Sequence, residues 1–533
     1  MKFNIDDLTL DELIGQVICP FVSPEKDIEE IEKMIIEKKP GGLFFSNKSA
    51  HMIEKCVEIA NKHLKLPPII CGDVEFGPGS VMDGAGAIPK AMAIGAADSV
   101  ELAEESSAIT AAIARKNGFH WTFSPVCDLS LNFRSSETSV RAVSDSPEHV
   151  IKITGAQIRG FQKNGLMAAT AKHFPGQGID ERNSHFCTIT NDLSREEWMN
   201  TFGRIYKELI RQGVSSIMIG HSALPFCEKD VDEYLGCPPA VISKSIINDL
   251  LKEELGFEGC VVSDALSMVG ACAMCPIEEL APRFLAAGGD MVLGSEKNDI
   301  QNITNAVNNG MLSIERLKDA VKRIVKLKES VRLFEDQQKI IDEIEIKRPL
   351  SVVAQDIADR SIVIERDFES ILPMNLKPNS KILFVNVVDL RYGANPTGKE
   401  ADAMKSEFEK QGHTVDVLTT PQHYELEKIV ENYDAVLVNY FLDVMNYHGG
   451  TMRVGWKNIF HLWRGYIFRA KNLIFTSFGD PYKLYDIPFA KEYINAFSDT
   501  DESQRAVAKV IMGIIEANGK NPIQHEGYFK RDV

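Results

Sequence analysis

Residues 254–268 read ELGFEGCVVSDALSM. Before them, SKSIINDLLKEELG (243–256) has the periodicity of an amphipathic helix, with Ser243 placed to cap its start and Gly256 to end it. The apolar run that follows, GCVVSDA (259–265), is too short for a helix and does not alternate with polar residues. Such a run predicts a strand buried on both faces. It delivers one carboxylate, Asp264, to its C-terminal end, between the small residues Ser263 and Ala265.

The same unit recurs along the first 300 residues. The other apolar runs are VICPF (17–21), GGLFFS (41–46), PPIICGD (67–73), WTFSPVCD (121–128), AATAKHFP (168–175), SSIMIGHS (215–222) and DMVLG (290–294), making eight in all. Helix-like stretches such as SVELAEESSAITAAIARKNG (99–118) separate them. Eight strand–helix units are what a closed (β/α)8 TIM-type barrel requires. Polar residues gather at the C-terminal ends of the runs: Asp73, Asp128, Lys172 with His173, His221, and Asp264. Barrel active sites form at that end, where the βα loops converge.

The long amphipathic stretch 313–334 closes this pattern, and the charged segment EDQQKIIDEIEIKRP (335–349) reads as a linker. Beyond it, KILFVNVVD (381–389), HTVDVLT (413–419), DAVLVNYF (434–441) and NLIFTSFG (472–479) alternate with helical stretches such as KEADAMKSEFEKQG (399–412). This predicts a smaller α/β sandwich domain with a mostly parallel sheet. The expected division is a barrel over 1–335, a linker over 336–352 and the second domain over 353–533. No GxGxxG or GxxxxGK[ST] occurs in that domain, so nucleotide binding is not expected.

The chain of 533 residues is too long for one ordinary core. Its net charge of −17 argues against nucleic acid and anionic membranes as partners. The N-terminal stretch MKFNIDDLTLDELIGQ shows no apolar signal region, and no run of about 18 apolar residues predicts a membrane span. All 10 cysteines fall between Cys19 and Cys275, several within apolar runs, which suits free thiols in a reducing cytoplasm. Cys272 and Cys275 form a CxxC pair without the second pair of a zinc site, so no metal or other cofactor is expected.

One further segment carries chemistry. AKHFPGQGIDERNSHF (171–186) leaves a strand through Lys172 and His173, breaks at Pro175, Gly176 and Gly178, and continues as a long loop to His185. Loops of that length in a compact domain are often functional.

KHFPGQG…SH and GFEGCVVSDALSM together resemble glycoside hydrolase family 3, closest to its β-N-acetylglucosaminidase branch, with its KHFPGHGDT…DSH and GFxGVVxSDDLSM segments. GGLFFSN, GFHWTFSPVCD, SVRAVSDSPEHV, MIGHSALP and LAAGGDMVLG resemble further family segments in the same order. The likeness is strong over roughly 5–330 and weaker beyond.

The resemblance implies a retaining, exo-acting β-glycosidase that removes terminal β-N-acetylglucosamine from small soluble glycosides through a covalent glycosyl-enzyme. It implies Asp264 as nucleophile and His185 as acid/base, an imidazole being suited by its unperturbed pKa of about 6.5. It implies sugar-hydroxyl contacts from Asp73, Arg141, Lys172 and His173, with Asp128 and His221 as further strand-end positions. A homodimer is compatible with it.

Two departures bear on the activity. The aspartate that pairs with the family's loop histidine is replaced by Asn183, and DVEFGPGSVMD (73–83) keeps Asp73 and Glu75 but lacks the arginine that ends the family's DQEGGxVxR. An amide accepts a ring N–H but cannot stabilise imidazolium by charge; beside a serine-protease histidine the same exchange costs about 10⁴-fold. Asp180 and Glu181 are the nearby carboxylates that could take over. The alternatives are a phosphorylase, a β-glucosidase of the same family, and a catalytically impaired sugar-binding protein.

Overall fold

The computed structural model describes residues 5–229, 231–233, 236–295, 297–388, 398–442, 454–525, 527–528 and 530–533. Two compact units divide the chain. One comprises Met1–Ala87, Ala103–Leu129 and Val150–Leu350, the other Ile88–Leu102, Ser130–His149 and Ser351–Val533.

In the first unit all eight expected runs form strands. These are β1 (Ile18–Cys19), β2 (Gly42–Phe44), β3 (Ile69–Gly72), β4 (Trp121–Thr122), β5 (Thr170–Phe174), β6 (Ser216–Ile219), β7 (Cys260–Ser263) and β8 (Val292–Leu293). Parallel ladders join β2 to β3, β3 to β4, β5 to β6, β6 to β7, and β8 to β1. Parallel bridges at Phe21–Phe44, Trp121–Ala168 and Val262–Met291 complete the ring between β1 and β2, β4 and β5, and β7 and β8. The barrel is therefore closed. Its longer strands, β3, β5, β6 and β7, are buried along their whole length, as continuous apolar runs require.

The helices between them follow the sequence signals closely. Val100–Lys116 and Ile314–Ser330 lie within the expected stretches. In the helix Ser245–Glu254, the Ile246 N–H donates to the Ser243 hydroxyl at 3.2 Å, and Gly256 takes a φ of +72° just beyond the end. The last turn is wide: the Leu255 N–H reaches the Leu250 carbonyl at 2.9 Å. No helix among the described residues is long and apolar enough to cross a membrane.

The second unit is built on a six-stranded sheet of β9 (Val363–Asp367), β10 (Lys381–Val388), β11 (Thr414–Thr419), β12 (Ala435–Phe441), β13 (Leu473–Ser477) and β14 (Glu492–Asn495). Residue 389 of the expected run 381–389 lies outside the described residues. The spatial order is β9-β14-β13-β12-β10-β11, parallel throughout except for the antiparallel β9–β14 pair. Alternate residues of β10 feed two cores. Ile382 and Phe384 pack with Phe408 and Val507 on one side, and Leu383 and Val385 with Leu462 and Tyr440 on the other. A sheet buried on both faces by helices is the expected sandwich.

Two segments from the N-terminal third belong to this unit. Met92, Ala93, Ala96 and Val140 are buried with Tyr482, Phe497 and Ile523, and the Ser130 and Tyr482 hydroxyls lie 2.8 Å apart. The chain thus passes between the units at 88–102 and 130–149 as well as near 350. Within the stretch expected as a linker, Gln337–Asp342 forms a helix of its own.

Trp121 joins β4 to β5: its indole N–H donates to the Thr170 hydroxyl at 2.8 Å, and the side chain is fully buried. Trp121→Ala should destabilise the barrel unit by about 3–5 kcal/mol. Urea unfolding followed by a probe in that unit measures this, and a change under about 1 kcal/mol would contradict the packing described.

Candidate active site

β7 ends by placing Asp264 at the barrel mouth. The Asp264 N–H donates to the Ile219 carbonyl of β6 at 2.9 Å, so its backbone is still part of the ladder. The Ser263 hydroxyl accepts from the Leu293 N–H at 3.0 Å, which requires a small polar residue at this position. The Asp264 carboxylate accepts the Ala265 N–H at 2.7 Å. Burial pushes this carboxyl up. The charges of His221 and His173, the Ala265 N–H and the Lys172 ammonium together outweigh burial and hold it below the usual carboxylate range.

His221 follows β6 and is buried; its Nε2 lies 3.1 Å from the Ala265 carbonyl. A carbonyl only accepts, so this nitrogen carries the proton and braces the turn after Asp264. β5 contributes two neighbours that face different partners. The Lys172 ammonium bridges Asp73 at 2.8 Å and Glu75 at 2.6 Å. The His173 ring donates from Nδ1 to Asp128 at 2.7 Å. Asp128 is fully buried, and its other oxygen accepts the N–H groups of His173 and Gln177 at 3.2 and 2.8 Å. It orients His173 and is itself enclosed. Asp73, by contrast, has a side chain 44% exposed.

The loop beyond β5 brings Asn183 to His185. One oxygen of the Asn183 amide accepts both the His185 N–H, at 2.9 Å, and the His185 ring Nδ1, at 2.7 Å. The backbone N–H only donates, so the shared atom must be the amide oxygen, and Nδ1 must carry a proton. The Asn183 oxygen thereby fixes which ring nitrogen of His185 is held by the loop. Asp180 does not fill the role of the missing aspartate: Arg182 binds it through two nitrogens, at 3.0 and 2.5 Å, and the Thr190 N–H donates to it at 2.9 Å.

The loop is seated on the segment after Asp264. The Gly270 N–H donates to the Ser184 carbonyl at 3.1 Å, and the Thr188 hydroxyl donates to the Gly270 carbonyl at 2.9 Å. A Cβ at position 270 would lie 2.3 Å from the Ser184 carbonyl oxygen, which is backbone and cannot turn away. Gly270 was not legible as a site residue; its signal is a glycine inside a short helix, Val269–Cys272.

Asp73, Asp128, Lys172, His173, His221 and Asp264 are therefore brought together by charge or hydrogen bonds in the first unit. Asn183 and His185 meet on the loop that shares its seat. Arg141 belongs to the second unit, in the turn Ser139–Arg141, where it donates to the Glu137 carbonyl at 3.1 Å. Among the described residues no group of three or more His, Cys, Asp or Glu side chains is placed to hold a metal ion.

A closed parallel barrel with a carboxylate, histidines and a lysine at its strand ends is an arrangement that suits a glycoside hydrolase. The chain belongs to glycosyl hydrolase family 3, matching the Glycosyl hydrolase family 3 N terminal domain over residues 9–327. A beta-N-acetylglucosaminidase/beta-glucosidase of Cellulomonas fimi is 28% identical over 98% of this chain and 95% of its own length. A solved beta-glucoside phosphorylase, BglX, bound to 2FGlc is 27% identical with a TM-score of 0.86, covering 98% of this chain and 95% of its own. A family 3 beta-N-acetylglucosaminidase from Paenibacillus sp. shares the fold at 24% identity and a TM-score of 0.83, over 97% and 99% of the two chains.

A lowered Asp264 pKa means that the carboxylate is ionised from mild acid upward and is neutralised only as pH falls through its depressed value. Its contribution to stability should be present above the unfolded value of about 3.9 and be lost below it. Carboxyl-carbon NMR against Asp264→Asn should place its midpoint below that of an ordinary aspartate; a midpoint above about 4.5 would be inconsistent with the cationic surroundings.

Proposed function

We propose that the chain is a retaining, exo-acting β-glycosidase that acts through a glycosyl ester on Asp264, with His185 as acid/base. The observation that carries this reading is a strand-end carboxylate whose cationic neighbours favour its charged form, in a barrel whose β5 loop holds a histidine by Nδ1 on Asn183. In the first step an Asp264 oxygen attacks the anomeric carbon while the His185 Nε2–H passes its proton to the leaving oxygen. His185 is then neutral, with Nδ1–H still on the Asn183 oxygen. In the second step Nε2 takes a proton from the incoming nucleophile, which displaces Asp264 from the sugar. Asp73, Lys172 and His173 contact sugar hydroxyls; Asp128 acts through His173, and His221 through the Ala265 carbonyl.

The sugar is read as terminal β-N-acetylglucosamine on a small soluble glycoside, supported by the name of the Cellulomonas fimi relative and by relatives called beta-hexosaminidase. The catalytic groups come from the barrel unit. A cytoplasmic location is supported by ten free cysteines, which suit a reducing compartment.

Asn183 favours a second reading, phosphorolysis. With an amide rather than a carboxylate beside His185, an incoming phosphate meets one negative charge fewer. The solved beta-glucoside phosphorylase at 27% identity supports it. A panel of aryl β-glycosides assayed with and without inorganic phosphate separates hydrolysis from phosphorolysis and N-acetylglucosaminide from glucoside. Binding without turnover on the whole panel would leave a sugar-binding protein.

Asp264→Asn should abolish turnover with the fold intact, since an amide cannot form the ester. Activity within about tenfold of wild type would remove Asp264 from the mechanism.

Asn183→Asp should raise the His185 pKa by placing an opposite charge at hydrogen-bond distance. The acid form then persists to higher pH, so the basic limb of the rate profile moves up, and kcat rises on poor leaving groups more than on activated aryl ones. If His185→Ala and Asn183→Asp both leave the basic limb and the leaving-group dependence unchanged, the proton comes from another group.

A further inference from the structure

The segment that follows Asp264, ALSMVGACAMCPI (265–277), carries no charged side chain. It connects β7 to the helix Ile277–Ala287, and connections of this kind form the mouth of a barrel. The corresponding connections after β3, β5 and β6 are charged, with Asp83, with Asp180, Glu181 and Arg182, and with Glu228 and Lys229. Burial does not account for the difference. Val269, Ala273, Pro276 and Ile277 are exposed, and Met268, Cys272, Met274 and Cys275 are half-buried.

The His185 loop adds to this surface. The Gly270 N–H donates to the Ser184 carbonyl at 3.1 Å, and a Cβ on Gly270 would lie 2.9 Å from the Cys187 carbonyl oxygen and 3.0 Å from the His221 side chain. The residues on either side of His185 are thus held against position 270. Phe186, which falls between those two carbonyls in the chain, is 49% exposed, and Val269, the neighbour of Gly270, is 47% exposed. A single exposed apolar residue needs no explanation. An uncharged, exposed segment with a half-bare phenylalanine on the adjoining loop marks a surface that meets apolar matter. Its two methionines supply adaptable contact area.

We propose that this surface is the leaving-group subsite and that the substrates are β-glycosides of an apolar alcohol or phenol. The subsite rests on the reading of Asp264 as nucleophile and His185 as acid. On that reading the leaving oxygen takes its proton from His185. The group attached to that oxygen then extends over the residues that flank His185 and over the 265–277 segment that seats them. A hydrocarbon or aryl group there covers Phe186 and Val269 and removes their apolar area from water. A second sugar would set its hydroxyls against a segment whose only side-chain hydroxyl is Ser267, and a polar group that loses water without gaining a partner is disfavoured.

The test is a series of methyl, butyl and hexyl β-glycosides of the sugar that the aryl panel selects, together with the β-linked disaccharide of that sugar. Phosphate buffer lets either water or phosphate complete turnover. Alkyl leaving groups differ little in acidity, so differences in kcat/KM report contact rather than bond-breaking. The value should rise about twofold per CH2, as half-burial of each implies, and at least about tenfold from methyl to hexyl. The hexyl glycoside should also surpass the disaccharide, although a sugar hydroxyl is the more acidic leaving group. Phe186→Ser and Val269→Ser should each lower the hexyl-to-methyl ratio at least about threefold. Partial loss of fold would lower both rates alike and leave the ratio. Met311→Ser, which changes an exposed residue before the helix Ile314–Ser330, should not move it. A wild-type ratio under about tenfold, a disaccharide preferred to the hexyl glycoside, or a ratio unmoved by the Phe186 and Val269 variants overturns the subsite and leaves the glycosidase reading standing. Turnover confined to aryl glycosides removes the acid at His185 and the subsite with it. No turnover of any glycoside overturns the glycosidase reading as a whole.

Discussion

The buried Asp128 carboxylate is the constraint on which the barrel mouth depends. It is fully enclosed, and it accepts three N–H groups, from the His173 ring, the His173 backbone and the Gln177 backbone. A buried carboxylate is tolerated only when its oxygens are occupied by donors. Once those donors are in place, the end of β4, the end of β5 and the glycine turn after it hold one geometry. His173 is oriented by that geometry, and the loop running on to His185 starts from it. Lys172 then faces the other way, toward Asp73 and Glu75.

Asp264 depends on the same arrangement for its charge. Burial alone would favour its neutral form, and the surrounding histidines and lysine reverse that preference. Its neighbours therefore set its ionisation, and the sugar contacts proposed for Lys172 and His173 come from the same groups. His221 adds a mechanical one, holding the Ala265 carbonyl so that the turn after the carboxylate does not move. The His185 loop is coupled to Asp264 through Gly270, where the absence of a side chain lets two loop carbonyls approach the helix start. The proposed acid and the proposed nucleophile thus share one short segment, although 79 positions separate His185 and Asp264 in the chain.

Asn183 shows how far a single substitution leaves geometry intact while changing electrostatics. The amide oxygen makes both contacts a carboxylate would make, so the ring orientation is kept. What is lost is the negative charge, and Asp180, committed to Arg182, does not restore it. An amide in place of a carboxylate removes one negative charge from beside the proposed acid, which is the basis of the second reading proposed above.

The chain by itself determined the eight barrel strands and the end at which the chemistry gathers. Strands enclosed on both faces must be short and wholly apolar, and a polar residue is tolerated only where they emerge. The same logic exposed four strands of the second sheet. It missed Val363–Asp367 and Glu492–Asn495, because VIERD and EYIN carry charges whose burial depends on an antiparallel partner far away in sequence. Nor could it reveal that 88–102 and 130–149 fold with the second unit: helical spacing shows that Met92, Ala93 and Ala96 are buried, but not against what. The sequence likewise showed that Asp73, Asp128, Lys172 and His173 sit at strand ends, while the pairing of lysine with Asp73 and of histidine with Asp128 was decided by the fold. So was the seat of the His185 loop on Gly270, since periodicity records which face a residue takes and only the closed barrel brings distant partners within bonding distance.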